Sequence, residues 1–454
     1  LEQYSWRDEE AEFNASLAQF RTAIRLTNYD DPVRLHFIHS RSTHANAVPL
    51  LLIPPFPFTN LSLAHLIGHF TTPDDATKDM PFHLVVPSLP GLGFSDAIPS
   101  HERMMPLIAE LFDKLMRRLG YAHYLATNTA ATSNTVSDID WRVINHIAVL
   151  YPDSCLGVHL ISPRFGAPTF QNAPLEWVKW KTATAVSTPM LGYSREDISA
   201  SKQGMFRKQA PNISGMGMDK LFEPNTLAYA LCDSPTGLLL FILMVLRILG
   251  PNHEFSNKEI IRITELTWLP GPEGILRILA NSASTSDNLN TGSSKPKVGI
   301  TTFSGNQNHE IGGTESNTSS KKSSSGVYTC IAWGRRRYDI VSSQCLPGNP
   351  GLLAWERPKA IAAGVRKLAK AIVASDKRLQ ESVNPETVFL EQVIADGCQI
   401  APAERSGTTI QTQETLPPGE AAGREDAVGR SKAAKDAKIA KRPPTPMFPM
   451  TAGE

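Results

Sequence analysis

The chain contains no G-x-S-x-G pentapeptide, no G-x-G-x-x-G or Walker pattern, and no histidine beyond His309. The first absence removes support for a serine esterase, and the second removes the usual phosphate cradles. Cysteine is sparse: residues 155, 232, 330, 345 and 398, an odd number with no pair at metal-ligand spacing. That usage points to a reduced, intracellular setting, cytoplasmic rather than secreted. The net charge is only +1, so no global electrostatic argument favours nucleic acid or an anionic membrane. The longest apolar run, Leu238–Leu246, is too short to span a bilayer and reads as a buried helix. The first residue is Leu1 rather than methionine, so the lack of a leader is uninformative, and a fragment or a misassembled exon stays an open alternative.

What is present is ordinary for a globular chain: 41% hydrophobic and 20% charged residues over 454 positions. That is enough for one large α/β domain with insertions, or for two domains. Val33–His39 alternates as a strand does. Val48–Ile53 is a continuous apolar run closed by PPFPFT, and Phe82–Val86 is another, followed by PSLPGLGFSD. Met105–Leu119 has a helical apolar face and stops at Gly120. The stretch Tyr121–Leu160 then reads strand, loop, helix, turn, strand. Tyr121–Ala126 is short and apolar, Asp140–Tyr151 repeats at helical spacing until Pro152, and Leu156–Ile161 opens the next strand. Alternation of this kind predicts a mostly parallel sheet with helices on both faces.

Shifts in pattern divide the chain. Residues 1–30 read as an N-terminal arm with one helix, and 31–163 as the first half of the core. Residues 164–290 turn mainly helical, as a cap over one end of the sheet. The second half of the core spans 291–400, with strands expected at Lys297–Ser304 and Val327–Trp333 and a closing helix at Ala354–Ser375. It is interrupted at 305–326 by a Ser/Gly-rich insertion. From 401 to 454 the composition predicts a disordered tail, whose basic patch Arg430–Arg442 reads as solvated.

Several segments in order, WRDEEAEFNASLAQF, VPSLPGLGFSDA, YPDSCLGVHL, FEPNTLAYALCDSPTGLLLFIL and LLAWERPKAIAAGVRKLAK, resemble the microsomal-type epoxide hydrolases, most closely a fungal branch. The resemblance covers Trp6 to Ala374. It implies an α/β-hydrolase core with an inserted helical cap. It also implies hydrolysis of small apolar epoxides to diols with no metal or organic cofactor. In that family an aspartate attacks the epoxide carbon to form an ester. A histidine oriented by an acidic residue then activates water to cleave it. Two cap tyrosines donate to the epoxide oxygen, and an HGxP turn supplies backbone groups. The charge balance and the short apolar runs predict no nucleic-acid partner and no transmembrane segment, and the sequence leaves the oligomeric state open.

Carried over by position, the motif residues are largely substituted. The HGxP turn falls on Pro54, Pro55, Phe56 and Pro57, and proline has no N–H to offer. Counted from the strand, the nucleophile falls on Thr129. Counted back from Pro152 it falls on Asp138, nine residues later, while the pair Asp140-Trp141 also matches the family turn. The acid falls near His309 and Glu310, the histidine on Gly351, and the cap tyrosines near Met216 and Ala280. Each candidate has a plainer reading. Asp138 and Asp140 suit the first turn of a helix, where acids complement the dipole and Ser137 with Asp140 mimics a capping box. His309 and Glu310 fit a solvated loop, and Thr129 has no evident base beside it. His146, His159 and Cys155 fit packed core positions, Arg335–Arg337 a solvated turn, and Gly91 and Gly93 a turn beneath the cap. Two functions stand: an epoxide-hydrolase-like enzyme whose turnover is impaired or absent, or a non-catalytic protein that binds a small molecule or a protein.

Overall fold

A computed structural model of the chain describes residues 4–98, 104–130, 139–163, 165–202, 224–250, 253–284, 295–304, 328–348 and 351–380. The chain divides into a unit over 1–403 and a second over 404–454, the latter wholly outside the described residues.

Eight strands form one sheet: β1 (Gln19–Ile24), β2 (Val33–Ser40), β3 (Val48–Ile53), β4 (Phe82–Pro87), β5 (Tyr124–Asn128), β6 (Cys155–Ile161), β7 (Lys297–Phe303) and β8 (Asp339–Leu346). Their order is β1-β2-β4-β3-β5-β6-β7-β8. β1 and β2 pair antiparallel and β2 joins β4 antiparallel; every other pairing is parallel. β3, β5 and β6 are buried along their whole length. That is why their sequences run apolar without alternation: a parallel strand covered on both faces has no solvent side. The helices α3 (Met104–Arg118) and α4 (Ile139–Leu150) cover one face through Met105, Phe112 and Ile144. On the other face α2 (Ile67–Thr71) and α13 (Pro358–Ser375) pack through Phe70, Ile361, Val365 and Leu368.

Between β6 and β7 the described residues carry only helices: α5 (Pro174–Val186), α6 (Arg195–Lys202), α7 (Pro224–Asp233), α8 (Pro235–Leu249), α9 (Asn257–Trp268) and α10 (Glu273–Ser284). α8 holds the long apolar run. It is one-sided rather than enclosed: Leu238, Ile242 and Val245 are buried, while Leu240 is 62% exposed. Among the described residues no single helix is long and apolar enough to cross a membrane. The cap meets the core where Gly274 lies on Gly91. A Cβ on Gly274 would come within 2.9 Å of the Gly91 Cα, and Gly91 itself has φ +80°, so both positions demand glycine. The first helix, α1 (Trp6–Ser16), is tied to α9 by the buried Glu9, which accepts from Arg262 Nε at 2.7 Å and pairs with Lys258.

Three expectations are corrected. The arm over residues 1–30 contains a strand, β1, as well as its helix. Val327–Trp333 is not a strand: its described residues 328–330 are irregular and Ile331–Gly334 forms the short helix α11. Tyr328 donates to Asp197 on α6 at 3.1 Å and Trp333 meets Trp180 on α5 edge-on. Cap packing therefore claims the aromatic and β-branched residues that would otherwise favour a strand. The edge strand is instead β8, whose Ser342, Ser343 and Gln344 are partly or largely exposed and carry little strand signal. Finally, the closing helix is broken at Arg357, where Pro358 starts α13 after the short α12 (Leu353–Glu356).

Candidate active site

The sheet changes direction of winding at β3. From β3 the chain crosses to β4 on one side, and β5 then takes the other side. In parallel α/β sheets the crevice at such a switch, at the carboxyl ends of the strands, is where ligands bind. Here that crevice is bounded by the turn after β3 and the residues after β5.

The turn after β3 is Pro54-Pro55-Phe56-Pro57-Phe58, all buried, with a cis Phe56–Pro57 peptide. Phe58 N–H is spent on the Pro55 carbonyl at 2.8 Å. Pro54, Pro55 and Pro57 have no N–H, so Phe56 is the one residue of the four motif positions that carries a backbone donor. Thr129 follows β5 and is wholly buried; its Oγ1 donates to the Ile53 carbonyl at 2.9 Å. Its hydroxyl proton is therefore engaged by the backbone of β3.

Asn128, the last residue of β5, links the parts. Its Nδ2 donates to the Ala130 carbonyl at 3.0 Å and, more loosely, to Asp140 Oδ2 at 3.4 Å. Its Oδ1 accepts from the Ile161 N–H at 3.0 Å. Asp140 lies in the first turn of α4 and is 1% exposed. A carboxylate thus sits at the carboxyl end of β5, at the positive end of a helix dipole. Asp138, His309, Glu310 and Met216 lie outside the described residues, and Ala280 lies in α10.

Gly351 occupies the turn before α12. Its N–H donates to Glu356 Oε1 at 3.0 Å, and the Leu352 N–H donates to the same oxygen at 3.1 Å. Glu356 thereby ties down the N–H of Leu352, the N-cap of α12, and that of Gly351 just before it. The turns after β3 and β8 meet through Phe58 and Trp355, whose ring centroids are 4.6 Å apart. The structure accordingly gathers Phe56 and Pro57, Thr129, Asp140 and Gly351 along one edge of the sheet. Phe58, Asn128 and Trp355 join them there. The asparagine that ends the apolar strand YLATN was the available sign: a polar residue closing a buried strand needs partners.

His159 and Cys155 belong to the opposite concern, the core. His159 Nδ1 is 2.9 Å from Thr127 Oγ1, and its Nε2 is 2.8 Å from Thr301 Oγ1. Gln344 Nε2 donates to that same Thr301 hydroxyl at 2.9 Å. Burial pushes the imidazole from its ordinary 6.5 to about 3, so it is neutral. Burial likewise pushes the Cys155 thiol well up, away from nucleophilic thiolate. His146 Nδ1 lies 2.8 Å from the Arg142 carbonyl, a turn earlier in α4.

Comparison with known proteins agrees with this architecture. Residues 1–63 match the family model described as epoxide hydrolase N terminus. A Stigmatella aurantiaca protein assigned by name to the epoxide hydrolases is 31% identical over 59% of this chain and 54% of its own length. Juvenile hormone epoxide hydrolase 1 of Ctenocephalides felis is 26% identical over 63% of this chain and 54% of its own. The chain thus spans about half the length of these relatives. Among solved structures, juvenile hormone epoxide hydrolase from the silkworm Bombyx mori superposes with a TM-score of 0.61 at 18% identity. That superposition covers 82% of this chain and 83% of the other. The epoxide hydrolase of Aspergillus niger gives 0.59 at 21% identity, with 82% of each chain covered. The chain thus carries an epoxide hydrolase N-terminal region over residues 1–63 and an α/β-hydrolase fold, and it is similar in sequence to epoxide hydrolases over about half of their length.

Proposed function

We propose that this protein binds a small apolar epoxide-like ligand at the carboxyl edge of its sheet, and that turnover of the epoxide to a diol is impaired or absent. The observation that carries the reading is the turn at Gly351. Where the family resemblance calls for a histidine there is no side chain, and the local N–H groups are bound to Glu356. Ester cleavage needs a general base to take a proton from water. An aspartate that attacked an epoxide carbon without such a base would be stranded as an ester. The proline-rich turn after β3 weakens oxyanion stabilisation in the same direction, because three of its four positions lack an N–H.

A second reading keeps the attack itself. Asp140 is buried beside Asn128 at the end of β5 and supplies a carboxylate at the strand end that a nucleophile would occupy.

One experiment separates the two. The protein is incubated with aryl and alkyl epoxides, and diol formation and intact mass are followed together with thermal stability. Stabilisation without product or adduct is expected for a binding protein. A stable adduct of one epoxide mass, absent in Asp140→Asn, would establish attack without hydrolysis. Diol turnover in the wild-type protein would overturn the impaired reading, and Gly351→His tests whether the missing imidazole alone limits it.

A further inference from the structure

The turn at Gly351 lacks an imidazole, and the cap segment that packs against its neighbour Leu352 carries one. α8 ends at Gly250, and the chain turns back so that the His253 N–H donates to the Gly250 carbonyl at 3.1 Å. Gly250 is pressed against Leu352, the residue after Gly351: a Cβ on Gly250 would lie 2.7 Å from Leu352 Cδ1. Phe255 then reaches the core, 5.8 Å from Trp355 and 6.2 Å from Phe58 between ring centroids. The His253 ring stands edge-on against Phe255 at 4.6 Å. His253 is thus on the cap side of the aromatic group that joins the turn after β3 to the turn after β8.

Its Nε2 is sealed from solvent, and among the described residues it has no hydrogen-bond partner. A buried ring nitrogen left unpaired is costly, and a ligand that pairs with it offsets that cost. Aromatic walls with one convergent polar group are the usual make-up of a small-molecule site.

We propose that His253 is the polar anchor of the ligand site. Its Nε2 hydrogen-bonds the oxygen of a small aryl epoxide or of the corresponding diol, held against Phe58, Phe255 and Trp355. An imidazole nitrogen suits both ligands, since it donates to an ether oxygen when it carries the proton and accepts from a hydroxyl when it does not. This rests on the ligand-binding reading above and adds the residue that recognises the oxygen. Spacing along the chain gives no sign of it, because His253 lies about a hundred residues from Trp355, whose ring shares its aromatic group.

The test compares 1-phenyl-1,2-ethanediol with ethylbenzene, an oxygen-free analogue, by calorimetric titration of the whole chain. The wild-type protein should bind the diol about tenfold more tightly than the hydrocarbon, the order of one hydrogen bond to a buried group. His253→Phe keeps the ring contact with Phe255 and removes the nitrogen. It should bind both compounds alike, with ethylbenzene affinity unchanged. Undiminished preference for the diol in that variant would overturn the inference and leave ligand binding standing. Failure of the wild-type protein to bind either compound would overturn both. Should the variant not fold, wild-type protein with 15N-labelled histidine gives the answer: one ring nitrogen signal should move with diol and not with ethylbenzene. No such movement overturns the proposal.

Discussion

Gly364 on α13 lies directly over the imidazole of His159 on β6. A methyl group built at Gly364 would come within 2.7 Å of His159 Cε1 and of Thr301 Oγ1. The histidine, wedged between Thr127 and Thr301, cannot yield without breaking both contacts. Gly364 is helical and needs no unusual φ, so the requirement is space alone. Gly364→Ala should cost about 1–3 kcal/mol of stability, the range for overpacking a filled core. Urea denaturation would measure it. Gly364→Ala combined with His159→Ala should recover part of the loss, whereas independent effects would simply add.

Glu356 holds the turn that carries Gly351. Glu356→Gln keeps an acceptor oxygen and should leave stability within about 1 kcal/mol of wild type. Glu356→Ala leaves the N–H groups of Gly351 and Leu352 without their acceptor and should cost about 1–3 kcal/mol. Amide hydrogen exchange at residues 351 and 352 should quicken in the alanine variant. Unchanged exchange would show that another group holds the turn.

Glu9 fastens the N-terminal helix to the cap. Burial raises its pKa, but hydrogen bonds from Lys258 and Arg262 outweigh burial and hold it below the usual carboxylate range. Lys258 is half exposed, and the pairing through Arg262 is the better enclosed. Glu9→Ala leaves Arg262 over the Phe13 ring without its carboxylate and should lower stability by about 1–3 kcal/mol. The loss should shrink little in 0.5 M salt, because the carboxylate is buried; an effect abolished by salt would mark a surface pair instead.

Four histidines predict the acid limit of the fold. Burial moves His36 and His83 from 6.5 to about 4, and His39 and His159 to about 3. Each is neutral in the folded protein at neutral pH, while the unfolded chain takes up protons below 6.5. Their contribution is therefore fully present above pH 6.5 and is lost as pH falls, down to about 4 for His36 and His83 and to about 3 for His39 and His159, below which the folded protein binds those protons too. The urea midpoint should fall steadily from pH 6.5 to 4. His159→Gln should reduce that dependence by about 1.4 kcal/mol per pH unit in the middle of the window. An unchanged slope would mean that His159 is already charged in the folded state.

Apolar runs with no solvent side named β3, β4 and β6, and helical spacing named α3 and α4, because burial on a parallel sheet leaves a direct mark on composition. The family likeness was also legible, since it rests on short local segments. What the chain order could not give was the strand β8, whose serines and glutamine carry no strand signal, or the diversion of Val327–Trp333 into cap packing. Local spacing also says nothing of Glu356 reaching back to Gly351, of Thr129 spending its hydroxyl on Ile53, or of Asn128 meeting Asp140. Those are contacts between ends of different strands, made only when the sheet closes. The same holds for His253. The sequence by itself determined that the expected histidine is missing from the turn at Gly351. Only the tertiary structure set Gly250, at the start of the cap segment that carries His253, against Leu352 of that turn, because packing across the cap joins residues a hundred positions apart.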